Sequence, residues 1–126
     1  NYGQFLDDFI NDVKNNIPGF IAVAVVEIKS GVSFGSYSAQ PDFDPDLASV
    51  FNLEVAKAKM NAIKVLGQEG QKIEDIMITL TSQIHFISIS ETGEYMVYLA
   101  VDGNKTNLGM ARALLMKYKK EIEGKL

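Results

Sequence analysis

The stretch FIAVAVVEI at residues 20–28 constrains this chain more than any other. Seven apolar residues, mostly β-branched, run without interruption before the one charge, Glu27. A strand with one wet face alternates polar and apolar positions; a strand without that alternation is covered on both faces. The chain must therefore supply helices to both sides of a sheet.

It has the material to do so. At 100° per residue, Phe5, Leu6, Phe9, Ile10 and Val13 share an arc, and Asp7, Asp8, Asn11 and Lys14 take the other side, which predicts a first helix over residues 4–16. Ile17-Pro18-Gly19 ends it, because the residue before proline is pushed out of the helical region and glycine permits the turn. Lys29-Ser30-Gly31 signals a turn into a weaker strand over residues 32–38. Gly35 inside that strand points to a bulge or an edge. In the loop AQPDFDPD at residues 39–46, Asp44 reads as an N-cap and Pro45 as the first position of a second helix, which runs to about Leu66. Three more strands follow at residues 73–81, 84–90 and 95–101, joined by links short enough for hairpins. Thr106 or Asn107 caps a third helix whose apolar arc is Leu108, Ala111, Leu114, Leu115, Tyr118 and Ile122. The order predicts an α+β fold: a five-stranded, mainly antiparallel sheet with one helix on one face and two on the other, in a single domain spanning residues 1–126.

The second helix carries the most functional information. Leu47, Phe51, Val55, Ala58, Ala62 and Val65 form one stripe, which suffices to dock the helix on the sheet. Leu53, Ala56, Met60 and Ile63 form a second, nearly opposite stripe at alternating spacings of three and four, the pattern of a helix–helix seam. That second stripe is expected to be a subunit interface. The strand over residues 73–81 adds to this. Its later half, IMITLT, has no charge, proline or glycine to protect it as a sheet edge, so pairing with its own copy across a two-fold axis is expected.

IPGFIAVAVVEIKSGV at residues 17–32 resembles the opening of the roadblock/dynein light chain family, in which a first helix ends at an Ile-Pro-Gly turn and enters a strand leading to a glycine-containing hairpin. Asn107-Leu108-Gly109-Met110-Ala111-Arg112 is similar to the start of that family's last helix, and the element order agrees over nearly the whole chain. The resemblance implies a roadblock/profilin-like fold and a non-catalytic homodimer that serves as an adaptor for dynein, or as a scaffold or regulator of Ras-like small GTPases, including bacterial polarity GTPases. It implies Ile76, Ile78 and Leu80 as strand-pairing residues and Leu53, Ala56, Met60 and Ile63 as helix-pairing residues of the dimer. Glu27-Ile28-Lys29-Ser30-Gly31 departs from the acidic pair that flanks this turn in many members, and the Asp-rich loop is particular to this chain, so the identity of the partner does not carry over. A small-ligand sensor with a pocket between sheet and helix, and a motor or secretion-complex adaptor without a GTPase, are the alternative readings.

Composition excludes much chemistry. The chain has 126 residues, no cysteine and one histidine, His85, which removes thiolate–zinc sites, cysteine nucleophiles and His-rich metal centres; no cofactor is expected. A net charge of −4 argues against nucleic acid, and no apolar run is long enough to insert into a membrane. The absence of cysteine favours a cytoplasmic address. Asp42, Asp44 and Asp46 alternate as in a calcium loop, but the sixth and twelfth positions hold Leu47 and Leu53 in place of glycine and glutamate. The chain lacks a G-x-x-x-x-G-K-[ST] phosphate loop and a G-x-S-x-G elbow. Asn104-Lys105-Thr106-Asn107 lacks the aspartate of a guanine-recognition motif. Arg112, the only arginine, falls on the flank of the third helix's apolar arc and reads as a stem packed on the sheet rather than an arginine finger. The expected protein is thus not an enzyme.

Overall fold

The computed structural model describes residues 2–126. Its elements are α1 (Tyr2–Asn16), β1 (Phe20–Glu27), β2 (Ser33–Ser38), α2 (Pro45–Val65), β3 (Asp75–Thr79), β4 (Gln83–Ile89), β5 (Tyr95–Asp102) and α3 (Leu108–Ile122). The strands form one five-stranded sheet in the order β2-β1-β5-β4-β3, with every neighbouring pair antiparallel. The apolar runs explain the order. β1 and β5, the two strands without polar alternation, lie inside, and the more polar β2 and the short β3 are the edges.

The two faces carry separate cores. On one, Leu6, Phe9 and Val13 of α1 and Ala111, Leu115 and Tyr118 of α3 meet Val23, Val25, Phe86 and Leu99 of the sheet. On the other, Leu53 and Ala56 of α2 meet Ala22, Ala24, Val26, Ile87 and Tyr98. The period of two along β1 divides its residues between these cores, as expected of a strand covered on both sides. The arrangement is the predicted one: one helix on one face, two on the other.

Local chemistry fixes the element ends. Asp44 caps α2, its Oδ1 accepting from the backbone N–H of Asp46 (3.0 Å) and Leu47 (3.1 Å), with Pro45 at the start of the helix. Of the two expected caps of α3, Asn107 is the one used: its Oδ1 accepts from Met110 N at 3.0 Å. Gly19 is required at the α1–β1 turn. Its φ is +75°, and a Cβ there would sit 3.0 Å from Lys105 Cβ and 3.1 Å from the Asp102 carbonyl oxygen. The third strand is shorter than the expected residues 73–81. Leu80 N donates to Gln83 O (2.8 Å) and so belongs to the hairpin turn, and Ile73 lies ahead of the strand.

The course of α2 follows from three contacts. Ser33 Oγ donates to Asp46 Oδ1 (3.0 Å) beside β2; Leu53 packs over Gly31 in the β1–β2 turn; and Met60 packs over Gly93 in the β4–β5 turn. The helix therefore crosses the sheet from the β2 side toward the β3 side. Among the described residues, no helix is long and apolar enough to cross a membrane.

Candidate interaction surface

The two stripes of α2 are placed opposite to expectation. Leu53 (4% exposed) and Ala56 are buried on this chain's own sheet, and Met60 packs on the same core with Ile63 half-buried beside it. The stripe expected to dock the helix lies outside instead: Leu47, Phe51 (66% exposed), Val55, Ala58 and Val65 (75%) face away from the sheet, with Ala62 half-buried. Both stripes are apolar, so helical periodicity shows that there are two faces without saying which is inner. The inner face is the one whose small residues, Ser49 and Ala56, are buried, and Ala56 shares a core with Ala22 and Ala24 of the sheet. Leu53, Ala56, Met60 and Ile63 thus serve the fold, and the surface free to meet another molecule is the outer stripe.

Among the described residues β3 is an edge strand, paired only with β4, with Ile76 opposite Ile87 and Ile78 opposite His85. Ile76 and Ile78 are half-buried against the α2-side core, Met77 (48% exposed) points to the other face, and Leu80 stands exposed in the turn beyond the strand. Ile76 and Ile78 therefore share a strand, and Leu80 does not. The C-terminal end of α2 lies beside the segment that leads into β3, where Ile63 and Ile73 line one cavity.

On the sheet face that α2 covers lies a small polar group that composition did not foreshadow. His85 Nε2 donates to Gln83 Oε1 (2.9 Å), which leaves Nδ1 to accept from the Tyr98 hydroxyl (3.2 Å), and the Phe43 ring meets the imidazole edge-on. Burial lowers the His85 pKa from its ordinary 6.5 and pushes the Tyr98 phenol up to about 12, so both are neutral at pH 7. The imidazole uses both nitrogens in these bonds, and the group ties β4 to β5.

On the opposite face, Arg112 Nε (3.1 Å) and Nη2 (2.9 Å) both donate to Asp75 Oδ2, and Lys119 Nζ donates to the Glu74 carbonyl (3.0 Å), so α3 holds down the start of β3. Arg112 is committed to this brace. Tyr118 OH donates to Asp12 Oδ2 (2.6 Å), joining α3 to α1. Among the described residues, no group of three or more His, Cys, Asp or Glu side chains could hold a metal. A cavity of about 260 Å³ opens at the C-terminal end of α2, floored by Met60, Ile63, Ile73 and Ile89. Its polar rim, Lys64, Glu69, Lys72 and Glu91, consists of solvent-exposed side chains.

Compared with known proteins, this architecture is that of the roadblock/LC7 fold. The Roadblock/LC7 domain from Streptomyces avermitilis superposes with a TM-score of 0.77 at 11% identity, covering 93% of each chain. A structure described as MglB with tetrameric arrangement gives 0.77 at 15% identity over 99% of this chain and 92% of that one. Myxococcus xanthus MglB gives 0.72 at 15% identity over 91% and 85%. No protein-family model and no curated protein matches the sequence. The chain has the roadblock/LC7 fold, as its Ile-Pro-Gly turn and element order implied.

Proposed function

We propose that this chain is a non-enzymatic, homodimeric scaffold or regulator of a small Ras-like GTPase, acting in the cytoplasm. One observation carries the dimer: the row of large apolar side chains exposed along the outside of α2, the helix that covers the same sheet face as Ile76 and Ile78 of the edge strand β3. An edge strand whose run from Ile76 to Thr79 has no charge, proline or glycine pairs with something, and an exposed apolar row of this length marks an interface. Pairing β3 with its copy about a two-fold axis would satisfy the edge and bring the outer stripe of each α2 toward the other. The GTPase part of the reading is supported by the family resemblance and by the likeness in fold to MglB, described for Thermus thermophilus as a gliding protein.

Sedimentation equilibrium tests the dimer first. The unaltered chain is expected at twice its 13.9 kDa mass, and Ile78→Lys together with Val55→Lys at the mass of one chain. Titration with a Ras-like GTPase loaded with a non-hydrolysable GTP analogue, and separately with GDP, then tests the partner. Binding that distinguishes the two states supports the reading; a single chain in solution, or equal indifference to both nucleotide states, refutes its respective half.

A further inference from the structure

The other edge of the sheet also ends bare. Among the described residues, β2 pairs with β1 on one side and with no strand on the other. Its sequence, SFGSYS, has none of the devices that close an edge to a foreign strand: no charge, no proline, and side chains that are mostly small. The single register shift in the β1–β2 pairing falls between Val25 and Val26, at the turn end. The remaining pairs, Gly35–Val25, Ser36–Ala24, Tyr37–Val23 and Ser38–Ala22, are regular, so the half of β2 away from the turn is a straight template. Tyr37 does not block it, since its ring stacks on Phe20 of β1 (6.0 Å between centroids, 22° between planes).

At that same end lies an open basin of about 570 Å³, lined by Lys14, Asn15, Phe20, Tyr37, Ala39 and Lys105 among others. Lys14 Nζ sits 4.4 Å from the centre of the Tyr37 ring. The basin's lining holds two lysines and no carboxylate, on a chain whose net charge is −4. Neither lysine joins an ion pair among the described residues. A local positive field next to a strand template selects an extended segment that carries negative charge at one end.

We propose that the free edge of β2 is a strand-addition site for an extended, acidic-ended segment of another protein. All pairs in this sheet are antiparallel, and a strand added in that sense has its N-terminal end at the Ser38 end of β2, beside the basin. The segment's acidic residues therefore precede its β-forming residues: the carboxylates meet Lys14 and Lys105, and the backbone that follows pairs along Tyr37 to Gly35. This uses the edge opposite to β3 and does not depend on the dimer or on the GTPase.

The test uses a fluorescein-labelled, end-blocked peptide, Glu-Asp-Thr-Val-Thr-Val-Thr, and the full chain. Anisotropy should report binding, and amide hydrogen exchange should show protection gained in β2 and unchanged in β3. Methylating alternate peptide nitrogens on one edge of the peptide, with its charge intact, should weaken binding at least about tenfold, because the lost bonds are backbone ones. The variant Lys14→Glu/Lys105→Glu should weaken it by about tenfold or more and gain affinity for the peptide starting Lys-Lys. Should that variant not fold, raising salt from about 50 to 300 mM with the unaltered chain should weaken binding severalfold, since the charges are exposed. Indifference to N-methylation, protection confined to β3, self-association through β2 in place of peptide capture, or no binding at millimolar peptide would each overturn the proposal.

Discussion

The division of labour between the two faces of α2 can be measured by truncating one residue on each. Leu53→Ala removes a side chain that is 4% exposed and packed over the β1–β2 turn, its Cδ2 3.6 Å from the position a Cβ would take on Gly31. The neighbours there are backbone and sheet, which cannot collapse into the space, so the cost belongs in the usual Leu→Ala range of about 2–5 kcal/mol. For a chain of 126 residues, 3 kcal/mol lowers the melting temperature by about 12 °C. Phe51→Ala, two positions away, removes a larger side chain that is 66% exposed within one chain. Its cost to the fold of a single chain is within about 0.5 kcal/mol. Its effect should instead appear as a weaker dependence of the unfolding midpoint on protein concentration, since association adds stability by mass action. Urea unfolding at about 1 and 100 µM separates the two: Leu53→Ala lowers the midpoint at both concentrations alike, and Phe51→Ala lowers it mainly at the higher one. Equal, concentration-independent losses from both would mean that the outer stripe is part of the core, and the assignment of faces would be wrong.

Two further outcomes follow from the same geometry. Burial lowers the His85 pKa, so as pH falls through 6.5 the unfolded chain takes up a proton that the folded chain resists. Stability is then level above pH 7 and declines as pH drops below 6.5, by at most about 1.4 kcal/mol per unit for one proton; urea midpoints at pH 7.5, 6.5 and 5.5 should show this slope, and His85→Gln should flatten it. Gly19→Ala and Gly67→Ala share a positive φ, +75° and +69°, yet only at Gly19 would the new Cβ meet other atoms, Lys105 Cβ at 3.0 Å among them. Both should cost about 1–2 kcal/mol in backbone strain, and Gly19→Ala measurably more by thermal melting; equal losses would show that the α1–β1 turn has room.

Most of the fold could be read from short-range patterns. The unbroken apolar run of β1, the caps Asp44 and Asn107, and the Ile-Pro-Gly stop each act within a few residues, so they are visible along the chain. The inner face of α2 was not, because it depends on a partner distant in sequence. Ala22, Ala24 and Ala100 leave space on the sheet for Leu53 and Met60, and nothing inside the helix records that. The end of β3 was missed for a similar reason. Leu80 has the apolar character of the strand before it, and only its hydrogen bond to the Gln83 carbonyl puts it in the turn. The His85–Tyr98–Gln83 group was unreadable as well, since its members meet through the register of β4 against β5.

The two bare edges are not equivalent, and their side chains say how. β3 is DIMIT, apolar from Ile76 to Ile78, and the outer stripe of α2 offers Val55 and Val65, so covering these surfaces removes several large apolar groups from water at about 25 cal/mol per Å². β2 offers serine, glycine and a tyrosine already stacked on its neighbour, so a strand added there gains mainly backbone hydrogen bonds, each worth about 1 kcal/mol net. Such a gain barely exceeds the entropy of ordering a free segment. An edge of this kind stays open unless something else contributes, and the uncompensated charge of Lys14 and Lys105 is what β2 has to contribute. The apolar edge is therefore suited to a lasting union of like chains, and the polar edge to a reversible, salt-sensitive one with a charged partner.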